Sequence, residues 1–499
     1  MHDLLPFLPG QLNQVLDGIT LLIPELYLSG LFLVILVTDI LFGKNSGWLC
    51  RILACAGLVV VLIKDLQQIG LVVNNGFPFF NEMLLLHRTS VTFKALIDIF
   101  SIILLLYFEW DDELRSYTKK LSGLYAIAIA AILGLHLMAM AINLLSIYLS
   151  IEMVSIASYL MVAYHTENKL SSEAGLKYVL FGAASSAVML YGISLLYGFT
   201  GSLNLLTGNM LPGLLHADAM AVSLAFALVF VGVGFKLSFV PMHFWVPDIY
   251  QGAPTPVSAF LSTVPKIATF CLLINFFIPF LYYPKWDMHD FKLALSAAGI
   301  VTMVAGNFAA VLQNNVKRML AYSSIGHTGF ALMALAAFND AGKTALSFYL
   351  VAYSLASIGT WMLATYFADA AKAEDMTGYK GLGFKYPLAG ILFVILLISL
   401  TGIPLTAGFN GKLVVFSAAY SAYQQSHYIW TLLLMITGAV TTVVSLFYYI
   451  KIPLNLFLRK TERSAGFASP NKYLLASVAI ITILVIYLGF FPDILLKNL

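Results

Sequence analysis

Residues 219–250 read AMAVSLAFALVFVGVGFKLSFVPMHFWVPDIY. From Ala219 to Gly234 there is no charged residue, the composition of a helix in lipid, where about 20 apolar residues cross a hydrocarbon core of about 30 Å. The stretch is too long for one straight crossing, and it contains Lys236, Pro241 and Pro247. Proline removes a backbone donor and clashes with the preceding turn. The stretch therefore reads as a membrane helix broken part-way across, with a lysine beside the break. In lipid, a broken helix frees carbonyls and amides that need water or polar side chains.

The whole chain shares this character. Of its 499 residues 60% are hydrophobic and only 10% charged, with a mean hydropathy of +0.90. A soluble domain carries about 25% charged and about 45–50% apolar residues. A water-soluble enzyme, a disordered chain and a nucleic-acid binder with a basic face are thereby excluded. What remains is an all-α polytopic membrane protein in contact with lipid. The balance of 27 Lys+Arg against 24 Asp+Glu says nothing about polyanions. Cys50, Cys55 and Cys271 lie in apolar stretches without CxxC spacing, so no iron–sulfur, zinc or haem-attachment site is expected. The first seventeen residues, with Asp3 and Asp17 but no Lys or Arg, do not read as a secretory leader.

Apolar length predicts fourteen spans, near 18–42, 48–69, 91–109, 122–141, 143–164, 172–198 and 219–250, then 256–282, 291–312, 317–338, 343–368, 386–423, 428–452 and 472–491. The twelfth is also too long for one crossing and contains Gly402-Ile403-Pro404 and Gly408, so it too is read as broken. Sixteen basic residues follow odd-numbered spans, among them Lys44, Arg51, Lys119, Lys120, Lys372, Lys460 and Arg463. Seven lie on the other side: Lys64, Arg88, Lys94, Lys285, Lys292, Lys343 and Lys497. The more positive side is cytoplasmic, which puts both termini outside. The segment 70–90, with Asn74-Asn75-Gly76 and Asn81-Glu82, carries the turn signals of a short outer hairpin.

Four basic residues remain inside spans: Lys177, Lys236, Lys266 and Lys412. A lysine at the centre of a membrane helix costs about 2.5–3.5 kcal/mol on insertion scales. Lys266 lies ten residues into the eighth span, about 15 Å deep. Glu152, nine residues into the fifth span, and His327, ten into the tenth, reach similar depth. Lys236 and Lys412 stand beside the two breaks, whereas Lys177 is about two turns from its cytoplasmic end and could snorkel. Desolvation works against a lysine's charge and a nearby carboxylate favours it. A Glu152–Lys236 pair whose members approach and withdraw would load and release a proton. The plain alternative for each lysine is snorkelling or a structural pair. His136 and His243 read as ordinary core histidines, Glu25 and Asp98 as buried acids without an assigned partner, and Asp39 as reaching water.

The interval from Glu152 to His327 differs by a single position from that between Lys236 and Lys412. The fifth span thus maps onto the tenth and the seventh onto the twelfth. A unit of five spans is odd, so its copy crosses the membrane inverted, as in many transporters. The echo is imperfect, since Lys266 maps onto Thr442 and Lys177 onto Tyr353. The expected division is an N-terminal three-helix segment (1–121), a first repeat of spans 4–8 (122–282), an inverted repeat of spans 9–13 (283–452) and a C-terminal loop and helix (453–499).

These residues also carry a resemblance. Gly234-Phe235-Lys236, Pro241-Met242-His243-Phe244-Trp245-Val246-Pro247-Asp248 and Gly252-Ala253-Pro254-Thr255-Pro256-Val257-Ser258 resemble the signature of the antiporter-like subunits of respiratory complex I, NADH:quinone oxidoreductase. The run from Val316-Lys317-Arg318 to Ile325, and the stretch Gly402-Ile403-Pro404 with Ala407-Gly408-Phe409 and Gly411-Lys412, are similar to its helices 10 and 12. Lysine at position 412, the opening Ile23-Pro24-Glu25-Leu26 and the lack of a long lateral C-terminal helix resemble the subunit N type. The resemblance implies a proton-translocating subunit. Glu152 and Lys236 would be its ion pair, Lys266 the central lysine, His327 a polar axis position and Lys412 the terminal lysine, with Lys177 in a less defined role. FMN, iron–sulfur clusters and quinone would belong to partner subunits, with no cofactor or metal in this chain. Partners would be the other antiporter-like and small hydrophobic subunits. The expected location is the bacterial cytoplasmic (inner) membrane, with a plastid-type membrane as the alternative. Gly232-Val233-Gly234 and the turn 378–383 sit in no phosphate-binding context. Two rivals stand beside this reading. One is a subunit of a multi-subunit cation/proton antiporter, which would call for a midline carboxylate cluster; the other is a structural membrane scaffold with inert charges.

Overall fold

A computed structural model describes the chain except residues 1–14, 17, 44–45, 71, 73–75, 116, 118–120, 207–208, 372–373, 460–470 and 498–499. The leader reading at Asp3 and Asp17, the side assignment of Lys44, Lys119, Lys120, Lys372, Lys460 and Arg463, and the turn signal Asn74-Asn75 lie outside the described residues. Elsewhere the chain is overwhelmingly helical. The long helices are α1 (Ile23–Phe42), α2 (Ser46–Ile69), α3 (Arg88–Phe108), α4 (Ser122–Met140), α5 (Leu144–Val162), α6 (Lys169–Thr200) and α7 (Ala219–Leu237). After a short α8 (Val246–Gly252) come α9 (Thr255–Tyr282), α10 (His289–Val311), α11 (Val316–Leu335) and α12 (Asp340–Ala371). The last four are α13 (Pro387–Thr401), α14 (Ala407–Ser426), α15 (Ile429–Tyr449) and α16 (Lys472–Phe490). Twelve helices among the described residues are long and apolar enough to cross a membrane. The protein is an all-α, multi-pass membrane protein.

The helices begin where short polar side chains satisfy free amides. Asn143 accepts from Leu145 N at 2.9 Å, Asp218 from Ala221 N at 3.0 Å and Asn315 from Arg318 N at 3.0 Å. α7 stops where Ser238 turns left-handed (φ 62°), and α13 stops at Gly402 (φ 87°). The Gly402 conformation is one a residue without Cβ adopts at no steric cost. Between α7 and α8 the chain runs through Pro241, and between α13 and α14 through Pro404.

Burial grades from centre to rim. The apolar window of α12 is entirely enclosed by protein and that of α9 is 83% enclosed, whereas α1, α2, α15 and α16 are enclosed to less than a third. The rim helices turn Leu, Ile and Val faces outward (Leu33, Ile63, Val443, Ile483), as a lipid-facing surface requires. The central α9 packs against α3, α4 and α12, and α1–α3 pack as a layer against α4. A two-stranded antiparallel hairpin, β1 (Phe77–Phe79) and β2 (Leu84–Leu86), falls within the predicted 70–90 segment. Its turn is built at Phe80, Asn81 and Glu82, all with positive φ.

Candidate functional site

Lys236 occupies the last turn of α7, 5% exposed. Its Nζ and Glu152 Oε1 are both buried with no hydrogen-bond partner among the described residues. Glu152, on α5, is half-buried. The two therefore make no direct ion pair.

One helix inward, Lys266 projects from α9 against α11. Its Nζ donates to Ser324 O at 2.7 Å, Ser324 Oγ at 2.6 Å and Thr328 Oγ1 at 2.8 Å. Thr328 in turn donates to Leu237 O at 3.0 Å. A hydroxyl thus joins the central lysine to the backbone end of α7, next to Lys236. The Tyr353 hydroxyl of α12 lies 2.9 Å from Ser324 Oγ and 3.0 Å from Ser262 O, and its one proton serves one of the two. No carboxylate is among these partners.

His327 stands one residue before Thr328 on the same helix. Its Nδ1 is 2.7 Å from Tyr349 Oη and its Nε2 is 3.1 Å from Tyr449 Oη; Tyr449 also hydrogen-bonds Ser323. Between His327 and Lys412 lies a cavity of about 10 Å³, bounded also by Tyr349, Tyr353, Ser399 and Gly408, roughly the space one water centre needs. Lys412, in the first turns of α14, donates to Thr401 O at 2.8 Å and lies 4.6 Å from the Phe330 ring centroid. The carbonyl it takes is one freed by the end of α13. A Cβ on Gly402 would meet Lys412 Cδ at 2.7 Å, so the glycine both ends the helix and makes room for the lysine. The arrangement is a row of buried ammonium, imidazole, phenol and hydroxyl groups crossing from α7 to α14.

Lys177 sits elsewhere. Its side chain is 38% exposed and pairs with Glu173 at 2.7 Å and Asp248 of α8 at 3.2 Å. Asp248 also takes Arg318 of α11 at 2.6 Å. His243 lies in the connector between α7 and α8, its Nδ1 buried without a hydrogen-bond partner among the described residues.

One assignment made from the sequence is corrected. Lys94, counted above with the outer-side charges, is fully buried in α3. It joins Glu25 at 2.7 Å and Asp65 at 2.9 Å, and His136 contacts Glu25 and Asp98 in the same cluster. The acids lie on α1, α2 and α3, and only folding brings them together. A signal was present in the sequence: Asp65 and Lys94 are charges within or at the edge of apolar runs, where charge is costly unless paired.

Comparison with known proteins identifies the family and the fold. Residues 141–445 match the family model described as NADH:quinone oxidoreductase/Mrp antiporter, TM. The chain is 38% identical over 471 residues to NADH-quinone oxidoreductase subunit N 2 of Chloroherpeton thalassium, covering 91% of this chain and 89% of that one. It is 35% identical over 477 residues to subunit N of Chlorobium chlorochromatii, covering 94% and 91%. A chain of respiratory complex I from Thermus thermophilus superposes with a TM-score of 0.77 at 28% identity, covering 95% and 99%. A chain of the Mrp complex from Dietzia sp. shares the fold, with a TM-score of 0.78 at 18% identity and 95% of each chain covered. Fold and buried charges together define an antiporter-like membrane subunit of a complex I/Mrp-type translocase. The chain belongs to the family of subunit N of NADH-quinone oxidoreductase. It carries a buried acidic and basic cluster of the composition a proton pathway uses. Its three cysteines form no disulfide, and Cys50 and Cys271 are buried.

Proposed function

We propose that the chain conducts protons across the membrane along Glu152, Lys236, Lys266, His327 and Lys412, with Lys177 at its cytoplasmic margin. Electron transfer from NADH to quinone in partner subunits, which hold FMN and iron–sulfur clusters, supplies the energy. The observation that carries this reading is the partner set of the buried lysines. Lys266 is held by a carbonyl and two hydroxyls, Lys412 by a carbonyl, and Lys236 by no hydrogen bond among the described residues. A buried ammonium fixed for structure is normally paired with a carboxylate, because desolvation costs several kcal/mol. Without a fixed carboxylate partner a lysine exchanges its charged and neutral forms more easily. The Thr328 hydroxyl, the tyrosines around His327 and the cavity before Lys412 supply steps of hydrogen-bond length.

In this reading α7 with α8, and α13 with α14, are each one span interrupted within the membrane, which makes fourteen spans. Helices α4–α9 (spans 4–8) and α10–α15 (spans 9–13) are two inverted repeats. They correspond to residues 122–282 and 283–452, behind an N-terminal segment 1–121 and ahead of the C-terminal segment 453–499. Both termini face outward from a bacterial cytoplasmic membrane, and other antiporter-like and small hydrophobic subunits flank the chain. A sodium path at the midline would call for carboxylates, and the axis offers three lysines and a histidine beyond its one glutamate.

The test is to make Lys236→Ala and Glu152→Ala in the assembled complex and to measure quinone reduction and proton pumping. Both are expected to fall together. Wild-type rates with normal assembly would refute the path.

A further inference from the structure

The cluster around His136 lies outside the axis, where α1, α2 and α3 pack against α4. Glu25, Asp65, Lys94, Asp98 and His136 converge there from four helices, none more than 3% exposed. Lys94 Nζ is also 3.1 Å from Gln68 Oε1. Its ammonium, within hydrogen-bond distance of both Glu25 and Asp65, fills the position between carboxylates that a metal cation would take.

The imidazole decides what the cluster holds. His136 Nδ1 is 3.2 Å from Glu25 Oε1 and 3.9 Å from Asp65 Oδ2, while Nε2 is 3.0 Å from Asp98 Oδ1. A neutral imidazole has one N–H and one lone pair. With carboxyl groups at both ring nitrogens, a neutral ring would set a lone pair against a carboxylate oxygen. The conflict disappears only if the ring is imidazolium or one facing carboxyl is protonated. In either case the cluster holds one proton beyond a neutral imidazole and three carboxylates. Three carboxylates against Lys94 and that proton still leave an excess of one negative charge. Glu25 Oε2 and Asp98 Oδ2 remain buried without a hydrogen-bond partner among the described residues, so acceptor sites for a second proton exist. Such a charge, sealed from water, is costly unless a proton neutralises it.

The neighbouring helix adds no competing charge at this face. α9 packs on α3 and α4 through Thr269, Cys271 and Asn275, which bond Met138 Sδ at 3.6 Å and Ala139 O at 3.3 and 2.9 Å. Thr269 is one turn from Lys266 on the same helix, which makes α9 a shared wall between the cluster and the axis.

We propose that Glu25, Asp65, Lys94, Asp98 and His136 form a second proton-binding centre, outside the axis, whose exchangeable proton is shared between His136 and the carboxyl groups at its two ring nitrogens. Transfer breaks one N–H bond and forms one O–H bond along an existing hydrogen bond, with no side-chain movement. This centre is independent of the axis and would stand if the axis failed.

The test uses the purified complex containing this chain and infrared difference spectra between acid and alkaline pH. The wild type is expected to show exchanging carboxyl and imidazole bands that disappear in Asp98→Asn and persist in Glu152→Gln. Asp98→Glu, which restores the carboxyl, is expected to return them at a shifted frequency and guards against a misassembled Asp98→Asn. Bands that survive Asp98→Asn, or spectra that respond to sodium rather than to pH, would each overturn the proposal.

Discussion

Replacing Lys266 with methionine separates a working lysine from a structural one. Lys266 is 2% exposed and donates to three acceptors. Hydrogen bonds to a charged group contribute about 1.5–3 kcal/mol each, so their loss costs on the order of 5–9 kcal/mol. Against this stands the burial of an ammonium with no carboxylate beside it, a penalty of several kcal/mol. The orphaned acceptors are not abandoned. Ser324 Oγ remains 2.9 Å from the Tyr353 hydroxyl, and Ser324 O remains 3.1 Å from the Thr328 hydroxyl, whose one proton serves either this carbonyl or that of Leu237. Methionine also fills the same elongated space. The two sides nearly cancel, and Lys266→Met is expected to change the stability of the subunit by no more than about 2 kcal/mol. Pumping, by contrast, should fall by about tenfold or more, because the centre of the path loses its only proton carrier. The assay is thermal unfolding of the purified complex beside dye-monitored acidification of proteoliposomes. Wild-type pumping would refute the path. A destabilisation of about 4 kcal/mol or more would show Lys266 to be a structural anchor.

Two further outcomes follow from particular geometries. Gly402→Ala places a Cβ at φ 87° and 2.7 Å from Lys412 Cδ. Backbone strain alone costs about 1–2 kcal/mol, and displacement of Lys412 should lower pumping several-fold, read from the same two assays. Asp111, between α3 and α4, is 2% exposed, and burial pushes its carboxyl up to about 6, against the bond from Leu114 N and the charge of Lys317. Its folded pKa is raised, so its contribution to stability is present below about pH 4 and is lost as pH rises through about 6. Asp111→Asn keeps the bond from Leu114 N and should flatten a pH-dependent loss of about 3 kcal/mol, measured as melting temperature against pH.

Much of this architecture can be read from the residues, because lipid imposes one rule on every backbone group. Apolar runs alone locate the helices, and Pro241, Pro404 and Gly402 mark where α7 and α13 stop. Depth along a helix is also readable, which is why Lys266 and His327 stand out before any coordinates. Rotation about the helix axis is not. The whole of α6 separates Glu152 from Lys236 in the chain, and nothing in the sequence says that they form no direct ion pair. Lys94 lies near the start of its apolar run, where snorkelling is the natural reading. Its acids come from α1 and α2, each a separate span earlier in the chain. His136 likewise finds Glu25 and Asp98 only through the packing of α1 and α3 on α4. Charges in or beside apolar runs show that partners are needed, but which partners they meet depends on three helices packing together and leaves no local trace.

The central claim is that protons cross this subunit through Lys236. Its most direct test is the initial rate of NADH-driven proton uptake by proteoliposomes containing fully assembled complex with Lys236→Met. The account predicts a fall of about tenfold or more with the complex intact. An intact Lys236→Met complex pumping at the wild-type rate would contradict it.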